Sequence, residues 1–333
     1  MSKWIVRFPL KVLAWALGLV GFAALALTAM IAAPITPLPE LTSISKTARA
    51  VDRSTMPPLS RFSARDGTEL AYRHYPARGT ASGKIAILVH GSSGSSVAVH
   101  ALADALAARG VETYAPDIRG HGGSGSRGDV GFVGQLENDM ADFVALVRQT
   151  SPTEPLTLLG HSSGGGFALR IASSPIQDLF ARTVLLAPYL GYDAPTSRSD
   201  SGGWASPDIP RFLGLLALRK LGIDCCESLT TLAFAVPANS ANILTPTYSF
   251  RLMVNFATRN YASDLATAHH PIALIAGASD ELMLADKYAD AVHAVVPTAE
   301  VKLIDGVDHM GIVCNAQGVA AVADYVVNAR IGS

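Results

Sequence analysis

Cysteine is scarce in this chain, with three residues in 333, at Cys225, Cys226 and Cys314. So few thiols exclude a disulfide scaffold, and no spacing suits a structural metal. Cys225 and Cys226 are adjacent, and neighbours bond to each other only with strain. They are read as packing residues, with one bridge to Cys314 left open for an exported protein. His269-His270 is also a poor ligand pair, because adjacent side chains at the start of a strand point apart. Charge is sparse too: 16% of residues are charged, and the formal net charge is −1. That balance gives no electrostatic case for nucleic acid. Internal repeats, a P-loop and a dinucleotide glycine fingerprint are all missing. No cofactor and no metal are expected.

What is present is apolar, at 49% hydrophobic. The length suits one large α/β domain, or a domain with an insertion, with its core on both faces of a sheet. The N-terminus stands apart. Lys3, Arg7 and Lys11 precede an almost unbroken apolar run from Val12 to Ala33. At about 1.5 Å per residue such a run can cross a bilayer as a helix. A cleaved signal peptide and a buried helix are the alternatives. The run is longer than a usual signal core, and Pro34 ill suits cleavage after Ala33. Positive charge ahead of it favours a cytoplasmic start and an exported body. Residues 1–33 are therefore expected to be a transmembrane anchor, and 34–58 a linker. Within the linker, Pro34, Pro37, Pro39 and polar Thr42 to Arg53 read as a tether. Residues 59–330 are the globular domain.

Two short runs, Arg61 to Ala64 and Glu69 to Tyr75, flank Asp66-Gly67, a hairpin signal. Strands and helices then alternate. Val97 to Arg109 is helical, with Leu102 and Leu106 four apart and Gly110 placed to end it. Val133, Leu136, Met140, Phe143, Val144 and Val147 keep helical spacing, so one stripe faces the sheet. Thr183 to Leu186 reads as a strand. Helices follow around Tyr288, Val292, Val295 and Val296, and again around Val319, Val322 and Val326. Such alternation calls for a mainly parallel sheet with helices on both faces.

The chemistry gathers where apolar runs end. Leu156-Thr157-Leu158-Leu159 leads into Gly160-His161-Ser162-Ser163-Gly164 and then a helical run to Ala172. Strand, glycine-bracketed turn and helix hold a serine out at the end of a sheet, beside the unpaired amides of a helix start. Pro271 to Ala276 ends in Gly277-Ala278-Ser279-Asp280-Glu281. Val301 to Ile304 ends in Asp305-Gly306-Val307-Asp308-His309. The chain order is Ser162, Asp280, His309, each just past a strand, where parallel sheets gather active residues. His309 would take the proton from Ser162, and Asp280 would orient the imidazole. Ile85 to Val89 ends in His90-Gly91-Ser92-Ser93-Gly94. The amides of Ser92 and Ser163 are candidates for an oxyanion pocket. His90 is expected to brace its loop.

With Asp117-Ile118-Arg119-Gly120-His121-Gly122-Gly123-Ser124 added, these motifs resemble the α/β-hydrolases, near the lysophospholipases, monoacylglycerol lipases and proline-type serine aminopeptidases. The resemblance spans about residues 60 to 330. It implies the α/β-hydrolase fold, Ser162 as nucleophile, Asp280 as acid and His309 as base. It also implies an oxyanion hole from Ser92 and Ser163, and a structural Arg-Gly-His-Gly loop. Between about 190 and 268 the alternation breaks. This segment has no clear strand run, and it falls where the resembled family inserts a mobile cap over the serine. Helices are expected near Phe212 to Leu221 and Tyr248 to Thr258. Leu213, Leu215, Leu216, Leu218, Phe234, Phe250, Leu252, Met253 and Phe256 would suit a greasy acyl group, although each singly is more at home packing the cap onto the body.

The expectation is a membrane-tethered serine hydrolase cleaving carboxylic esters, lipid-like ones favoured, through an acyl-enzyme. Its partners would be a small ester and the membrane, with no nucleic acid. An amidase or aminopeptidase would want an acidic cluster for a substrate amine. Asp193, Asp200, Asp208, Asp224 and Glu227 show none. Carbon–carbon hydrolases and cofactor-free peroxidases share the triad. A binding protein that has kept the fold and lost activity is an alternative of another class, and the intact triad speaks against it.

Overall fold

The structure, a computed structural model, describes residues 3–32, 38–237 and 243–328, with the side chains of residues 3–9 and 45 left aside. Ala33, Pro34, Pro37, the side chains of Lys3 and Arg7, and the domain's last expected residues, 329 and 330, lie outside the described residues. Strands β1 (Ser60–Ser63) and β2 (Glu69–Tyr75) form the expected hairpin, Ser60 opposite Tyr72 and Ser63 opposite Glu69. Strands β3 (Ile85–Val89), β4 (Glu112–Pro116), β5 (Leu156–His161) and β6 (Arg182–Leu186) follow. A separate small sheet holds β7 (Ala205–Pro207), β8 (Thr230–Phe234) and β9 (Thr247–Ser249). Strands β10 (Ile272–Gly277) and β11 (Glu300–Ile304) then rejoin the main sheet.

The main sheet runs β1-β2-β4-β3-β5-β6-β10-β11. Only the pairings made by β2 are antiparallel. From β4 across to β11 every pairing is parallel, so these strands end on one edge. Strands β3 and β5 are buried at every residue, which is why they read as continuous apolar runs rather than alternating ones.

The helices are α1 (Lys3–Ala32), α2 (Thr42–Arg49), α3 (His100–Ala108), α4 (Gln135–Thr150), α5 (Ser163–Ala172), α6 (Ile209–Lys220), α7 (Phe250–Asn255), α8 (Tyr261–Thr267), α9 (Tyr288–His293), α10 (Gly311–Cys314) and α11 (Ala316–Asn328). The α4 stripe of Leu136, Met140, Phe143, Val144 and Val147 is buried against the sheet, and so are Val319, Val322 and Val326 of α11. Leu10–Ala32, 23 residues of mean hydropathy 2.1, is long and apolar enough to cross a membrane and is not buried in the fold.

Two expectations need correction. The tether read over Thr42 to Arg53 contains α2, which buries Ile44 and whose Thr47 hydroxyl donates to Asp308 Oδ2 at 3.2 Å. A single buried isoleucine in an otherwise mostly polar eight-residue helix leaves no periodic trace. The insertion about 190–268, expected to lack strands, carries β7, β8 and β9. Three to five residues are too few for alternation to register. Helix α6 matches the expected Phe212 to Leu221 except that it ends one residue sooner, at Lys220, and starts three residues earlier, behind an Asp208 cap that accepts from Arg211 N at 3.0 Å. The second expected helix is shorter, α7, because Thr247–Ser249 belongs to β9.

The three cysteines are free thiols, Cys225 Sγ and Cys226 Sγ 3.0 Å apart and Cys314 elsewhere, so the open bridge to Cys314 is not made. His270 pairs with Asp178 at 2.9 Å.

Candidate active site

Ser162 sits between β5 and α5 with φ 56 and ψ −121, in the left-handed half of the map where a side chain is strained. Such a conformation costs roughly 1–3 kcal/mol and persists only where neighbours hold it. Here the Ser162 amide donates to Leu186 O at 2.9 Å, and the Ser162 carbonyl accepts from Gly165 N, Gly166 N and Tyr189 N at 2.9, 3.1 and 3.0 Å. The turn is that sharp because residue 164 lacks a side chain. A Cβ on Gly164 would overlap the His90 carbonyl, so α5 packs directly on the end of β3. The loop after β3 therefore lies against the serine. A Cβ on Gly91 would stand 3.1 Å from Ser162 Cβ. Among the described residues, the amides of Ser92 and Ser163 donate to no protein group.

Asp280 and His309 are brought together by the close approach of the loops after β10 and β11. A Cβ on Gly277 would overlap the Val307 carbonyl. Asp280 Oδ1 accepts from Leu282 N and Met283 N at 2.8 Å each, and Asp280 Oδ2 lies 2.8 Å from His309 Nδ1. An ionised carboxylate only accepts, so the imidazole proton belongs on Nδ1 and Nε2 keeps its lone pair. Both side chains are buried. Burial works against the imidazolium, but the facing Asp280 carboxylate outweighs it, and His309 is held above the usual 6.5. Burial alone would raise Asp280, yet His309 and the two amides hold it below the ordinary carboxylate value.

His161 joins the serine and histidine segments. Its Nε2 donates to the His309 carbonyl at 3.1 Å, and the two rings lie 4.9 Å apart. Burial, and then the nearby His309, push His161 down to about 3, so it stays neutral. Among the described residues the Ser162 hydroxyl makes no hydrogen bond to His309. Glu281, the residue after Asp280, accepts from the His309 amide at 2.9 Å. His161 and Glu281 gave no signal beyond their place beside a predicted residue.

His90 braces its loop. Its Nδ1 donates to Gly91 O at 2.7 Å and its Nε2 accepts from Ile118 N at 3.1 Å. Arg119 grips Asp139 through two bonds of 2.7 Å and reaches Asp66 at 2.9 Å, tying the β1–β2 turn to α4. Of the apolar cap residues, Leu215, Phe234, Phe250, Leu252 and Phe256 are buried in packing, while Leu213 is exposed. The cap expected to be mobile is tied to the acid loop. Thr196 O accepts from Leu284 N at 2.8 Å, and Arg198 Nη2 donates to the Asp280 and Met283 carbonyls at 3.3 Å each.

A mainly parallel sheet with a strained serine at the β5–α5 turn and a carboxylate–imidazole pair beyond β10 and β11 defines the α/β-hydrolase fold. The chain belongs to the serine aminopeptidase S33 family, whose profile matches residues 80–313. It is 35% identical over 83 residues to a monoacylglycerol lipase of Mycolicibacterium smegmatis, covering 25% of this chain and 30% of that protein. The chain spans under half the length of the first curated relatives that it matches. Its fold is similar to a soluble variant of monoglyceride lipase from Saccharomyces cerevisiae, solved with a substrate analog (TM-score 0.62, 18% identity, 83% of this chain and 94% of that one). It is also similar to a membrane phospholipase A described as a bacterial virulence factor (TM-score 0.55, 16% identity, 99% of this chain and 100% of that one).

Proposed function

We propose that this protein is a membrane-anchored serine hydrolase that cleaves carboxylic esters, lipid-like ones in particular, through an acyl-enzyme. The observation that carries the reading is the buried Asp280–His309 pair, set one histidine away from a strained Ser162. Ser162 Oγ attacks the carbonyl carbon as His309 Nε2 takes its proton. Asp280 stabilises the imidazolium that forms. The tetrahedral oxyanion accepts from the Ser92 and Ser163 amides. Collapse passes the proton from His309 to the leaving alcohol, and His309 then activates water to release the acid.

Lipidic substrate is supported by the two lipases and the phospholipase among the similar proteins, and by the setting of the cap. Arg211 Nε of α6 donates to the Ile31 carbonyl in the last turn of α1 at 2.7 Å, and Gly214 lets Met30 and Ile31 approach. With α1 in a bilayer, the cap lies at the membrane face and the catalytic domain on the exported side. The full-length protein is then expected to pellet with membranes and to resist salt extraction, and removal of residues 1–33 to release active, soluble enzyme. Full-length protein in the supernatant rejects the anchor.

The family name raises a second reading, an aminopeptidase. The cap's acidic groups argue against it. Asp208 caps α6, Glu227 is held by Arg219, and Asp200 accepts from Gly202 N at 3.1 Å. These are committed elsewhere rather than gathered to meet an ammonium group. On a panel of p-nitrophenyl esters beside an amino-acyl anilide, ester turnover without anilide turnover is expected. A preference for the anilide overturns the ester assignment.

A further inference from the structure

We propose that the cap is a fixed part of the oxyanion hole, and that Tyr248 is the positioning residue through which it acts. The proposal rests on the acyl-transfer reading above and deepens it. The amide assigned to the oxyanion is Ser92 N–H, which belongs to the Gly91–Ser92 peptide. The carbonyl end of that peptide is held by His90 Nδ1 at 2.7 Å and Gly94 N at 3.3 Å, so its plane is set from the body of the fold.

The other side is held by the cap. Ser93 follows with φ 63, a left-handed conformation in a residue that carries a side chain. Both of its backbone groups are taken by cap residues. Ser93 N donates to Tyr248 Oη at 2.7 Å, and Ser93 O accepts from Thr245 N at 2.8 Å. A third cap residue reaches the same loop, Trp204 Nε1 donating to Ser92 Oγ at 2.9 Å. Beside the Gly94 N to Gly91 O turn bond, these cap bonds hold the strained Ser93, and without them the loop would relax away from the orientation that leaves Ser92 N–H with no acceptor among the described residues.

Tyr248 is itself fixed from beneath. Its hydroxyl accepts from Ser93 N–H and donates to His121 Nε2, so the order is Ser93 N–H, Tyr248 O–H, His121. Burial, and then the neighbouring His90, keep His121 well below its ordinary value and therefore able to accept. The rest of this cap segment is stitched to the same loops. Thr245 Oγ1 donates to Gly120 O at 3.2 Å, and Ser249 N to Gly128 O at 2.8 Å. This gives the Arg119-Gly120-His121-Gly122 loop a place in the reaction: it seats the tyrosine that seats the oxyanion loop.

The test is Tyr248→Phe in the full-length protein, with active sites titrated. The ring contacts to His121 and Phe234 remain, and only the hydroxyl is lost. Turnover of p-nitrophenyl butyrate and the rate of fluorophosphonate labelling are expected to fall together, by roughly 10- to 100-fold. Affinity for a trifluoromethyl ketone, whose serine adduct carries an oxyanion, should fall in parallel, with KM within about twofold and the acid limb of the pH profile unmoved. A lower melting midpoint with wild-type turnover per titrated site makes Tyr248 merely structural and overturns the proposal. If Tyr248→Phe does not fold, Trp204→Phe removes the bond to Ser92 Oγ, with part of the ring's packing, and leaves the Tyr248 bonds in place; the same pattern at smaller amplitude is expected, and wild-type turnover and labelling overturn the proposal. Ser162→Ala separates the two levels: labelling that survives in that variant sinks the acyl-transfer reading itself, whereas wild-type labelling of Tyr248→Phe beside a silent Ser162→Ala sinks only the role of the cap.

Discussion

Ser162→Ala is expected to abolish fluorophosphonate labelling and to cut ester turnover by roughly 10⁶-fold, the scale seen when a nucleophile that acts as part of a unit is removed. The size follows from the site. With the oxygen gone, His309 has no proton to accept, and the Asp280 carboxylate stabilises a charge that never forms. The fold should be untouched, because the strained turn is held by backbone bonds from Leu186, Gly165, Gly166 and Tyr189 that do not involve the hydroxyl. Alanine keeps the same difficulty at positive φ, so the variant should melt within a few degrees of the wild type. Labelling that persists would move the nucleophile elsewhere.

Asp280→Asn is expected to lower turnover by roughly 10⁴-fold with the fold retained. An amide nitrogen in place of Oδ2 would face the proton on His309 Nδ1, and the imidazole would turn or change tautomer. The pH profile gives a second reading of the same change. In the wild type His309 is held above 6.5, so neutral imidazole, and with it kcat/KM, is complete above that raised value and is lost as pH falls through it. Without the carboxylate, burial opposes the imidazolium with only Glu281 and Asp308 to offset it, and the acid limb moves to lower pH. A wild-type rate in Asp280→Asn, or a limb that stays in place, would assign the acid to Glu281.

The parts of the fold that were legible in the sequence are those whose environment is uniform along the element. Ile85–Val89 and Leu156–His161 are buried on both faces, and a continuous apolar run can record that. The α4 stripe works the same way at helical period. The positions of Ser162, Asp280 and His309 just past strand ends were readable because a polar cluster interrupts such a run. The bonds that orient the site were not. Tyr248 meets Ser93 across 155 positions, and Trp204 meets Ser92 across 112. Each partner is an ordinary residue in its own stretch, and only the folded path makes them neighbours. Helix α2 was missed for a different reason: a single anchoring isoleucine among threonines, serines and basic residues looks the same as a solvated spacer.

That small helix has a mechanical corollary. The polypeptide is gripped on both sides of residues 33–37, at Ile31 by Arg211 and at Thr47 by Asp308. A body that grips its chain on both sides of that stretch is less free to swivel than one on a cord. For an anchored protein, the bearing of its mouth toward the leaflet is then built into the architecture rather than sampled by tumbling.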